Sequence, residues 1–138
     1  MSTVTRMTAL RYALVGTGLI FVFGIYVLTR VWPSGWSWGL GHSHYLLMIL
    51  GVYATLGTFL ILASFDPLAN RSLIWFTIWS SIVHAVVMAY QAVGDSAESG
   101  HLLGDVPALL IVAGVLAWLM PKHAAEVAVS PIGARRAA

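Results

Sequence analysis

The sequence contains no cysteine, and only 9% of its 138 residues are charged. Without thiols there is no disulfide, no iron–sulfur cluster and no sulfur-ligated zinc site. A soluble domain carries about 25% charged residues, so the shortage of charge excludes an ordinary water-soluble enzyme. Seven Lys and Arg against five Asp and Glu leave a formal net charge of +2. That is too little basic character for a phosphate-binding stripe, so nucleic acid is not expected as a partner. H-E-x-x-H, G-x-S-x-G and P-loop patterns are also missing. What the chain has in excess is apolar: 59% of residues are hydrophobic, and the mean hydropathy is +0.87.

This apolar content is gathered into four runs. Residues 12–29 carry no charge and would cover roughly 27 Å as a helix rising about 1.5 Å per residue. Residues 45–65 are equally uncharged, and 72–93 are interrupted only by His84; both can cross about 30 Å of hydrocarbon. The fourth run, 106–121, lies between Asp105 and Lys122 and is shorter. Either the bilayer thins there or part of His101 to Asp105 sits below the surface. A cleaved signal peptide is the competing reading of the first run. However, that run exceeds the usual apolar length, and VWPSGWSWG after it offers no A-x-A site.

The expected fold is therefore all-α: a four-helix transmembrane bundle of up-down topology in a single membrane domain. Alternating loops place Arg6, Arg11, Arg71, Lys122, Arg135 and Arg136 on one side and leave Arg30 alone on the other. The positive-inside rule then makes both termini, the DPLANR turn and the tail 122–138 cytoplasmic. The two longer connections face outward, with Trp32, Trp36 and Trp38 in an outer aromatic belt.

Ionisable groups inside spans are costly and so ask for a reason. His84 lies near the middle of the third run, and helical spacing puts Thr77, Ser80 or Ser81, Met88 and Gln91 on its face. With Thr55 at similar depth on the second run, His84, Gln91, Ser80 and Thr55 form the expected ligand pocket. The plainer reading is an imidazole bonded to backbone or to a neighbouring helix. At the outer side, His42, His44, His101 and Asp105 form a candidate metal set for copper or zinc without sulfur. In an extended segment, His42-x-His44 points both rings the same way, and Gly39 and Gly41 favour that conformation. Haem is disfavoured: His44 and His84 lie about ten residues apart in depth, some 15 Å, and cannot share one iron. An odd ligand such as Met48 or Met88 would be required. Asp105 before Pro107 also suits the first turn of the last helix as a cap. Gly16, Gly18, Gly24, Gly51, Gly57 and Gly114 are read as sites where helices approach closely.

Three pieces of the chain carry a resemblance. They are the turn with Asp66, Pro67, Asn70 and Arg71; the helix with Ser80, Ser81, His84 and Gln91; and Gly104, Asp105 and Pro107 at the start of the last run. Together they resemble a family of small, uncharacterised four-helix bacterial membrane proteins. The resemblance implies a multi-pass protein of the bacterial inner (cytoplasmic) membrane and says nothing about chemistry.

The functional expectation is an accessory subunit or binding module of a membrane complex, more a binder than an enzyme. A polar His/Gln/Asp pocket lies near its extracytoplasmic face. Its expected partners are membrane lipid, other membrane protein chains or further copies of itself. Two alternatives are copper or zinc binding at that pocket, and an enzyme or carrier for an apolar ligand using His84 as acid or base.

Overall fold

The computed structural model describes residues 2–37 and 44–121. Among them the secondary structure is helical throughout, and four stretches are long and apolar enough to cross a membrane. The first stretch comprises α1 (Thr3–Leu19), a π-helical turn (Ile20–Gly24) and α2 (Ile25–Val31). A short α3 (Pro33–Trp36) follows, then α4 (His44–Ala63) and α5 (Arg71–Gly94). A 3-10 helix (Ser96–Leu102) leads into α6 (Asp105–Leu119), and these two together make the fourth stretch. The last helix is thus lengthened at its start, and His101 and Asp105 are both buried. His42 and Trp38 lie outside the described residues.

The helices form because long apolar runs leave the backbone nothing but itself to bond with. Their outward faces stay apolar: Phe59, Phe76, Trp79, Val86, Ile111 and Trp118 are all exposed. A water-soluble surface does not carry an apolar coat of this extent. Inside, α1 packs on α4 and α5 packs on α6, with α1 also touching α6. The main core joins Leu10, Leu14 and Phe21 to Leu60, Ile74, Ile78 and Leu116. A smaller cluster holds Ala85, Met88, Val106 and Leu109, and Tyr53 packs against both. By contrast, α4 and α5 barely touch along their lengths, although a short turn joins them.

Each end of the bundle is tied by contacts remote in sequence. At one end, the Arg6 guanidinium donates to the carbonyls of Trp118, Leu119 and Met120 at 2.6, 3.2 and 3.2 Å. Arg71 reaches Pro121 O at 3.4 Å. Cations there meet the negative end of the α6 dipole. The turn before α5 is held by Asp66, whose Oδ1 accepts from Ala69 N at 3.1 Å. Asn70 occupies the N-cap position of α5 without a side-chain cap and donates instead to Asp66 O. At the other end the 3-10 helix lies against α3: a Cβ on Gly100 or Gly104 would run into the backbone of Ser34 or Gly35. Only glycine permits that approach.

Candidate functional site: a lateral cleft between α4 and α5

Because α4 and α5 diverge, a cleft of about 680 Å³ opens between the first half of α4 and the second half of α5. Its walls are apolar, with Ile49 and Leu50 from α4, Val83 and Val87 from α5, and Leu109 from α6. Its polar lining comprises Trp36, Tyr45, Tyr53, Ser80, His84, Gln91 and Asp105. Ile49, Val83 and Val87 are themselves exposed, so the mouth lies on the same apolar outer surface as the rest of these helices.

One polar pair of the cleft spans the two helices. Tyr53 Oη lies 3.1 Å from His84 Nδ1, and the two rings are 5.7 Å apart. Tyr53 is fixed from behind by Phe21, which meets it edge-on with centroids 4.9 Å apart. Phe21 belongs to the π-helical turn, a feature whose wider ring changes which side chains face inward. Of the two placements expected for His84, the structure realises the bond to a neighbouring helix. Ser80 lines the cleft and returns its hydroxyl to Thr77 O at 3.2 Å.

A second polar group sits at the end of the cleft near α3. His101 is fully buried; its Nδ1 lies 2.7 Å from Asp105 Oδ2, and its Nε2 lies 3.3 Å from Glu98 Oε2. At that distance the ring nitrogen and the carboxyl share a hydrogen bond. Asp105 is the first residue of α6 and not its cap; the N-cap position falls on Gly104 and carries no side-chain bond. The capping expected of Asp105 is thus replaced by its bond to His101.

Several expected site residues fall elsewhere. Thr55 is exposed and bonds back to Gly51 O at 2.9 Å, outside the cleft lining. Gln91, by contrast, does line the cleft with Ser80 and His84, and is exposed. Of the proposed metal set, His101 and Asp105 are together while His44 is exposed at the start of α4. Among the described residues no three His, Asp or Glu converge on one point as a metal requires. Around His101 the two carboxylates face opposite ring nitrogens, so their oxygens diverge. Trp36, expected in an aromatic belt, also lines the cleft.

The sequence reading overlooked Tyr53 and gave Trp36 no part in the site. A signal for Tyr53 was present: in antiparallel helices, the ninth residue after His44 falls within one residue of the level of His84, the tenth before Gly94. Trp36 gave no such signal, because its position depends on how α3 meets the 3-10 helix.

These features define a class, an all-α protein with four membrane-length apolar helices and a side-opening cleft. The chain belongs to a family of unknown function, DUF6632, whose sequence model matches residues 4–138. No curated protein and no solved structure matches it.

Proposed function

We propose that this is a small polytopic membrane protein that binds an apolar molecule in the cleft between α4 and α5, as a binding module without catalysis of its own. Both termini and the Asp66–Arg71 turn face the cytoplasm of a bacterial inner membrane, in an up-down bundle, and the cleft lies toward the extracytoplasmic face. The observation that carries the reading is the cleft itself. It has apolar walls, a polar end and a mouth on the apolar surface, as a ligand arriving sideways from lipid needs. Catalysis is the weaker reading because the two strongest polar groups are engaged separately, His84 with Tyr53 and Asp105 with His101.

The test is native mass spectrometry of the full chain released from lipid nanodiscs, compared with Leu50→Trp, which fills the cleft from α4. Wild type retains a small apolar molecule and Leu50→Trp loses it. Equal retention by both proteins, or none by either, overturns the reading. So does a map in which a helix of a second chain occupies the cleft.

A further inference from the structure

Two polar atoms beside the cleft have opposite needs. Among the described residues, Trp36 Nε1 and Asp105 Oδ1 are buried and make no hydrogen bond, and both residues line the cleft. Asp105 is only 6% exposed, and its other oxygen is held by His101 Nδ1. Glu98 flanks the opposite edge of that ring, so the imidazole is fixed in place and faces Oδ2. An indole N–H only donates, and an ionised carboxylate oxygen only accepts. Leaving both unmet in a buried site is destabilising, and a ligand that accepts from one and donates to the other relieves both.

We propose that the cleft recognises an uncharged hydroxyl head on a long-chain apolar molecule, an inference that rests on the binding role given above. The hydroxylated head donates to Asp105 Oδ1 and accepts from Trp36 Nε1, since a hydroxyl does both. A quinone or ether oxygen only accepts and answers Trp36 alone. An ammonium is drawn to the Asp105 and Glu98 carboxylates but accepts nothing, so it leaves Trp36 unmet. A carboxylate answers Trp36 but is repelled by Asp105 and Glu98. The hydrocarbon tail lies along the Ile49, Leu50 and Val87 walls.

Three radiolabelled probes with one tail test this: hexadecanol, hexadecyl methyl ether and hexadecylamine, titrated against the full chain in nanodiscs. The wild type binds hexadecanol at least tenfold more tightly than the ether, the size expected for one hydrogen bond to a charged acceptor. Trp36→Phe keeps an aromatic ring and removes the donor. It weakens hexadecanol and the ether alike, each about fivefold, and leaves the amine unchanged. Asp105→Leu weakens hexadecanol and the amine but not the ether, and retained ether binding shows that its cleft is still formed. Equal wild-type affinity for alcohol and ether overturns the hydroxyl assignment, as does tightest binding of the amine. Failure of all three probes to bind overturns the cleft reading itself, which separates the two outcomes.

Discussion

Gly18 and Gly57 meet backbone to backbone where α1 crosses α4. A Cβ on Gly18 would lie 2.7 Å from the Gly57 carbonyl oxygen, and one on Gly57 would lie 2.6 Å from that of Gly18. This crossing brings Phe21 onto Tyr53 and thereby sets one wall of the cleft. Close approach through small residues is how helices gain contact where lipid is as apolar as their side chains.

Gly57→Ala should push α1 and α4 apart and destabilise the protein by about 1–3 kcal/mol, the usual cost of overpacking. Gly51→Ala is the control, because nothing lies within 4 Å of its added Cβ. Thermal unfolding in mild detergent checks this. Matching losses in the two variants would remove the crossing as the cause.

Tyr53→Phe should remove the bond to His84 while keeping the ring against Phe21, at about 1 kcal/mol. Nitrogen NMR of labelled histidine provides the measurement: the His84 Nδ1 resonance shifts in the variant. An unmoved resonance means that the 3.1 Å contact does not operate as a hydrogen bond.

His101→Leu leaves Asp105 and Glu98 without the imidazole between them, so it should cost about 3 kcal/mol or more. Glu98→Gln should cost less, since that contact is longer and its carboxylate more exposed. Unfolding midpoints rank the pair, and a loss in Glu98→Gln as large as that in His101→Leu would show that the longer contact carries the ring's whole contribution.

The absence of cysteine makes single-thiol labelling of sidedness clean. Contacts of Arg6 and Arg71 with the end of α6 put the start of α1 and the start of α5 together. Thiols introduced at Ser2 and Asp66 should therefore react from the cytoplasmic side and one at Ser96 from the opposite side. Labelling of Asp66→Cys and Ser96→Cys from one side would dismantle the proposed up-down arrangement.

Hydropathy made the four long helices legible, because a run that cannot expose its backbone to lipid has one way to satisfy it. The closeness of His101 to Asp105 and the shared face of Ser80, His84 and Gln91 follow helical spacing and could be anticipated. Periodicity does not say which helix a face meets. Thr55 shows this: its depth suits a partner of His84, yet its side of α4 is exposed and Tyr53 holds that place. Likewise, the separation of α4 from α5 follows from which pairs pack best, α1 with α4 and α5 with α6, and no short motif records that preference.

The parting of α4 and α5 has a consequence for traffic. An occupant whose head is seated beside Asp105 can run its tail past the exposed Ile49 and Val87 and out among neighbouring acyl chains, so the protein limits the size of the head and tolerates a longer tail. Supply is then two-dimensional: loading depends on how many such molecules share the membrane and not on their solubility in water.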